Sequence, residues 1–210
     1  MPTVCNDLID VSLDLHRRSE GTICGEPLLL NRFDVSGEFA LEVCCGEAVV
    51  TIGLLMAKVP CIKPWDTKYG ENFDVLSNGH VLISLASSSH LSFVHLAPPC
   101  QSATWGRFPA LRTWSCPAGI PNLSGSQLQL VNHGNAVAKF CISLCVALYI
   151  AGGYFSLENP RLSWLWALDS CLALYSLDGV IFSLVLYSCY GAAYSKPTSF
   201  MHNTPSFARR

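Results

Sequence analysis

The sequence predicts an α/β fold, a sheet covered on both faces by helices and closed by a C-terminal antiparallel hairpin. Three observations carry this. Short apolar, β-rich runs such as Leu91-Ser92-Phe93-Val94 and Tyr154-Phe155-Ser156-Leu157 alternate with apolar runs of helical length. Half of the 210 residues are hydrophobic, enough for one domain with a substantial core. Glycine and proline punctuate the chain throughout, which sets it apart from a disordered composition.

In order, residues 1–36 form a mixed lead-in without a motif, residues 37–205 the domain, and residues 206–210 a tail. Phe39-Ala40-Leu41-Glu42-Val43-Cys44-Cys45-Gly46 reads as a buried strand running into a glycine turn, with a helix behind it over residues 47–56. A strand, a small-residue turn and a helix N-terminus form a cradle for a nucleotide-like ligand. The next strand, Val59-Pro60-Cys61-Ile62-Lys63-Pro64-Trp65, ends at Asp66, twenty residues after Gly46. At that distance a doubly wound sheet presents a carboxylate to ribose hydroxyls. Asp74 reads either as a residue on the adenine side of the same pocket or as a helix cap.

The strand from Leu91 leads into His95-Leu96-Ala97-Pro98-Pro99-Cys100-Gln101. Alone, a cysteine reads as a packed thiol. Just past two prolines at a strand end, it is rigidly held and reads as a presented nucleophile. A long loop follows over residues 105–126, with Trp105 and Trp114 as aromatics and Arg107 and Arg112 placed to meet phosphate. A helix is expected over 127–150 and a strand over 154–157 that ends at Glu158-Asn159-Pro160, presenting its carboxylate. A further helix over 161–174 puts Trp164 and Trp166 in the core. A strand over 180–187, a turn over 192–196 and a last strand over 197–201 complete the hairpin.

The net charge of −2 argues against a broadly basic nucleic-acid footprint and leaves room for a local patch. Eleven irregularly spaced cysteines, without an apolar signal among the first residues (Asp7, Asp10, Asp14), predict reduced thiols in an intracellular setting, nucleus or cytoplasm. No metal is expected, because no CxxC pair or histidine cluster accompanies Cys44-Cys45 or Cys141 and Cys145. The apolar runs 136–155 and 165–190 are interrupted by Lys139, Gly152-Gly153, Asp169 and Asp178, so no membrane span is expected.

Taken together, these motifs resemble the cytosine-5 DNA methyltransferase family, especially divergent members from mobile elements. Leu41-Glu42-Val43-Cys44-Cys45-Gly46 is similar to its cofactor motif, Pro98-Pro99-Cys100-Gln101 to its catalytic motif and Glu158-Asn159 to its acid pair. The segment from Cys189 to Thr198 is similar to the hairpin that closes the family's sheet. The resemblance implies a Rossmann-like class I methyltransferase sheet that binds S-adenosylmethionine through Glu42, Cys44, Gly46, Asp66, Asp74 and Pro98. It also implies that the Cys100 thiolate attacks cytosine carbon 6 while Glu158 holds ring nitrogen 3. Arg107 is the candidate cation that raises the thiolate fraction. The implied substrate is DNA in preference to RNA, with the base flipped out of a duplex.

Three departures stand out. Ala48 replaces a second glycine of many relatives, and Leu130 and Asn132 stand where basic residues are expected before Gly134-Asn135. The chain ends at Arg210, soon after the hairpin, with no stretch long enough for the family's target-recognition region. The readings are a truncated product, a subunit whose partner supplies target recognition, or a decaying copy. A nucleic-acid-binding remnant of the same fold, without catalysis, is the alternative reading.

Overall fold

The structure, a computed structural model, describes residues 39–191 and 193–204. The lead-in at 1–36 and the tail at 206–210 lie outside the described residues.

The chain is an α/β protein with one mixed five-stranded sheet flanked by helices. Its strands are β1 (Phe39–Val43), β2 (Leu91–Leu96), β3 (Tyr154–Pro160), β4 (Ile181–Leu186) and β5 (Pro197–His202), in the order β1-β2-β3-β5-β4. The first three are parallel; β5 runs antiparallel to both β3 and β4. The hairpin read from the sequence is therefore present, with its last strand inserted against the parallel half.

The helices are α1 (Val49–Met56), α2 (Val75–Asn78), α3 (His80–Ser87), α4 (Gly125–Ile150) and α5 (Asp169–Tyr175). Pairing register sorts the strand residues onto two faces, because side chains directly opposite one another share a face. Leu41, Val94 and Phe155 lie in one such row, and Val43, Leu96, Leu157 and Met201 in the next. These side chains and Val137, Cys141, Leu144, Cys145 and Leu148 of α4 form the buried core. Among the described residues α4 alone is long and apolar enough, by length and composition, to cross a membrane. Here it packs on β2 and β3 and is flanked by α3 and α5.

The opposite face is polar where it is most buried. Glu42, His95, Ser156 and His202 lie in register across β1, β2, β3 and β5, and all four are buried. From this face Glu42 reaches α1, where its Oε2 accepts hydrogen bonds from the Thr51 amide (2.6 Å) and hydroxyl (2.7 Å).

Two elements differ from the sequence reading. Residues 59–65 form no regular strand but touch β1 through parallel bridges at Ala40–Cys61 and Val43–Trp65. Between those bridges the edge segment advances one residue more than β1, a bulge. Pro60 and Pro64 carry no amide hydrogen, which a sheet edge tolerates and a ladder does not. The helix expected over 161–174 is split into a 3₁₀ turn, Trp164–Ala167, and α5, with Leu168 extended between them (ψ 137°). Ser163 caps the turn, and the Trp166 indole N–H donates to the Pro160 carbonyl at 2.9 Å, fixing the break.

Candidate active site

Three segments that follow β1, β2 and β3 converge at the carboxyl ends of the parallel strands, the position at which open α/β sheets bind ligands. The first is the turn from Cys44 to Ala48. It holds three residues with left-handed backbone: Cys44 (φ 54°), Gly46 (φ 51°) and Ala48 (φ 54°). Glycine adopts this conformation without strain; for Cys44 and Ala48 it costs on the order of 1 kcal/mol each. Ala48 therefore holds a glycine-like conformation at the position where the family resemblance expects glycine. Strain of this kind persists only where surrounding contacts over-determine it.

Those contacts come from the segment after residue 65. The Gly46 amide donates to Asp66 Oδ2 (3.0 Å), and the Tyr69 hydroxyl donates to the Gly46 carbonyl (3.3 Å). Lys68 pairs with Glu47, and the Cys44 amide donates to the Trp65 carbonyl (2.7 Å). Asp66 also caps the 3₁₀ turn Thr67–Tyr69 by accepting from the Lys68 amide at 3.0 Å. Gly46 and Asp66 are thus brought together, as the twenty-residue spacing requires. A Cβ on Gly46 would meet nothing within 4 Å, so the turn opens on free space.

Glu42 and Asp74 have local partners. Glu42 is turned inward onto Thr51, occupying the start of α1 with its own carboxylate. Asp74 is the N-cap of α2, accepting from the Leu76 amide (3.1 Å) and the Ser77 hydroxyl (2.7 Å). The Ser77 hydroxyl is the chief reason its carboxyl is held below the usual range. Of its two sequence readings, the structure places Asp74 as the cap.

The second segment carries Cys100. Past β2 the chain stays beside β1, where the Ala97 amide donates to the Val43 carbonyl at 3.1 Å. Pro98 is buried, and Cys100, half-buried, opens a turn whose carbonyl accepts from Ala103 and Thr104 (both 2.9 Å). Arg107 folds back on this turn, its Nη1 donating to the Gln101 carbonyl at 3.3 Å.

The third segment is the end of β3. Glu158 does not end the strand: β5 pairs with β3 as far as Pro160–Thr198, so the strand runs on. Nor is Glu158 simply presented. Its side chain is 17% exposed, with His95 Nε2 lying 3.4 Å from Oε2 and the Tyr187 hydroxyl donating to Oε1 at 3.0 Å. Burial alone would raise its pKa; His95, Tyr187 and Lys196 outweigh burial and hold it below the usual carboxylate value. The same carboxylate, after burial, pushes the Tyr187 phenol up.

Asn159 ties the second and third segments together. Its Nδ2 donates to the Pro98 carbonyl at 2.9 Å, where β3 has run past its pairing with β2. Beside it the Trp164 amide donates to Ala103 (2.7 Å) and the Trp105 amide to Leu162 (3.0 Å), around a Thr104–Ser163 bridge. The loop bearing Cys100 and the strand bearing Glu158 are zipped side by side.

Arg112 does not face the site. It is buried, with Nε donating to the Ser102 carbonyl and Nη1 to Pro117 and Asn135. Nη2 donates to the Ser102 hydroxyl and the Val131 carbonyl. Its guanidinium organises the long loop, and burial lowers its pKa. His95, Tyr187 and Thr51 were missed by sequence reasoning. For His95 and Thr51 a signal was present: a polar residue in an otherwise apolar buried run must find a partner.

Among the described residues no group of three His, Cys, Asp or Glu side chains could hold a metal ion. No protein-family model matches the chain, and no curated protein does.

Proposed function

We propose that the chain is an S-adenosylmethionine-dependent methyltransferase that methylates carbon 5 of cytosine in nucleic acid through an adduct with Cys100. The observation that carries this reading is the Asn159–Pro98 bond, which sets the Glu158 strand against the Cys100 loop. The reaction needs those two groups on one ring: a nucleophile at carbon 6 and a carboxyl group on the edge formed by nitrogen 3 and the carbon 4 amino group. Four strands of one direction, with the single reversed strand β5 inserted between β3 and β4, support the finer fold reading, a Rossmann-like class I methyltransferase sheet.

In this reading the Cys100 sulfur bonds to carbon 6 and the displaced electron pair makes carbon 5 nucleophilic. Glu158, held ionised by His95 and Tyr187 in the free protein, accepts from the amino group on ring carbon 4. It meets nitrogen 3 through a proton taken up from solvent when the base binds and returned to solvent when the base leaves. After methylation, solvent water takes the carbon 5 proton, and the electron pair left behind breaks the carbon–sulfur bond, restoring the thiolate. S-adenosylmethionine supplies an electrophilic methyl group when bound. Gly46, open to free space, and the half-buried Asp66 beside it fit that cofactor, since carboxylate lone pairs remain for ribose hydroxyls. Cys44 and Pro98 would line the same end of the sheet, and Arg107 stands at the Cys100 turn.

An oligonucleotide with fluorine at carbon 5 of cytosine tests the step directly, because fluorine does not leave as the proton does. With cofactor present, the wild-type protein is expected to give a denaturant-stable adduct and Cys100→Ser none. A folded wild type that binds S-adenosylmethionine and forms no adduct would sink the proposal.

One observation favours a second reading, a nucleic-acid-binding protein of this fold without turnover. Both oxygens of Glu158 already have partners inside the protein, and so do both oxygens of Asp66. Equal oligonucleotide affinity of wild type and Cys100→Ser, with no adduct from either, would establish it.

A further inference from the structure

The loop after Cys100 exposes three large aromatic side chains. Trp105 is 65% exposed, Phe108 96% and Trp114 77%. They are not on a loosely attached strip. Trp105 is pinned by its backbone to Leu162, and the Trp114 ring meets Trp164 edge-on, centroids 6.5 Å apart. The Trp164 backbone is in turn bonded to Ala103, three residues past Cys100. Trp105 and Trp114 therefore adjoin the ladder that holds the Cys100 loop against the Glu158 strand, and Phe108 follows Trp105 by three residues on the same loop.

Charge points to the occupant. Glu158 is the one aspartate or glutamate between residues 75 and 168, and its carboxylate is largely buried against His95 and Tyr187. The cations of this face are Arg107, folded onto the Cys100 turn, and the exposed Arg161. A surface that is cationic and aromatic suits a polyanion with accessible ring faces. Stacked duplex hides its base faces, and gripping it needs a longer row of cations than two arginines provide.

We propose that this face is a stacking platform for an unpaired nucleic-acid strand, which it holds beside Cys100. The inference deepens the function proposed above by naming the form of the substrate, and rests on that reading for the role of Cys100. Unpaired bases stack on Trp105, Phe108 and Trp114 while Arg107 and Arg161 meet phosphates. A base already outside a duplex needs no flipping, so the site requires no strand-separating element.

Labelled oligothymidylate tests the platform apart from catalysis, since it contains no cytosine. Fluorescence anisotropy is expected to show it binding at least about tenfold tighter than the same strand annealed to its complement. Trp105→Ala, Phe108→Ala and Trp114→Ala should each weaken binding about tenfold, with thermal unfolding unchanged for the first two and slightly lowered for Trp114→Ala, which loses the contact with Trp164. The slope of log affinity against log salt should be no steeper than about −2, as two arginines imply.

Duplex bound as tightly as single strand, or affinity unmoved by all three substitutions, would overturn the proposal. So would sedimentation showing a dimer that the substitutions dissolve, since a second copy would then cover the face. Calorimetry with S-adenosylmethionine on the same preparations separates the two readings. Strand binding without cofactor binding keeps the platform and removes the methyltransferase; cofactor binding and adduct formation without strand preference removes the platform alone.

Discussion

The amide of Gly46 donates to Asp66 Oδ2 at 3.0 Å, joining the turn after β1 to the edge segment beside it. Asp66→Ala removes this bond and the cap on Lys68, and should lower stability by about 1–2 kcal/mol in urea titrations. It should also weaken S-adenosylmethionine at least tenfold by calorimetry. Asp66→Asn keeps an oxygen for the backbone and should recover most of the stability but not the affinity. If Asn restores both, Asp66 serves only the turn.

Glu158 gives the protein an acid-sensitive element. Its folded pKa lies below the usual 4.5, so the native state holds fewer protons than the unfolded chain as pH falls past that value. Its contribution is therefore present above the unfolded pKa and is lost as pH drops through the folded one. Denaturant titrations from pH 7 to pH 3 should show a flatter acid limb for Glu158→Gln than for wild type. At pH 7 the variant should be less stable by about 1–2 kcal/mol, the worth of hydrogen bonds to a charged group.

Arg112 should behave as a structural residue. Arg112→Lys replaces a fixed fork by one ammonium and strands several buried carbonyls, lowering stability by about 2 kcal/mol. Gly134→Ala tests the same contact, since a Cβ there would stand 2.8 Å from Ser102 Oγ and 3.3 Å from Arg112 Nη2. A loss of about 1–3 kcal/mol is expected from overpacking. Arg112→Gln, which removes the charge, should leave the salt dependence of oligonucleotide binding unchanged; a slope shallower by about one phosphate contact would put Arg112 on phosphate after all.

Native alkylation at pH 8, read by mass spectrometry, should sort the cysteines. Exposed Cys189 and half-buried Cys44, Cys100 and Cys116 should be modified. Cys45, Cys61, Cys141, Cys145 and Cys171 are buried and should react only on unfolding. Burial pushes Cys61 and Cys171 up to about 12, with Glu42 adding to the first. That leaves roughly one thiol in ten thousand ionised at pH 8. Rapid labelling of Cys61 would mean that the edge segment opens in the native state, and rapid labelling of Cys171 that α5 does.

The sequence by itself determined what depends on neighbours along the chain. Apolar runs of strand and helix length, glycine in the turn after Val43 and two prolines before Cys100 are local signals, and β1, α1, β2, α4, β3 and the hairpin follow them. The spacing of Gly46 and Asp66 was legible too, because one short crossover fixes how far apart two strand ends lie. The edge segment at 59–65 was less legible: its apolar residues read as a strand, and only the missing amide hydrogens of Pro60 and Pro64 marked it as irregular.

Tertiary structure alone decided which groups hold Glu158, what Asn159 does and where Arg112 goes. His95 reaches Glu158 because β2 pairs with β3 in one register, and Tyr187 because β5 is inserted between β3 and β4. A shift of one residue in either pairing would turn the side chains to the other face and dissolve the network. Asn159 and Pro98 lie sixty-one residues apart in the chain, and no local pattern records their meeting. Arginine in a polar loop reads as a surface cation until five acceptors, contributed by the loop and by α4, enclose it. Local composition sets the elements; strand register and the burial of polar groups, which exist only once distant segments pack, set the site.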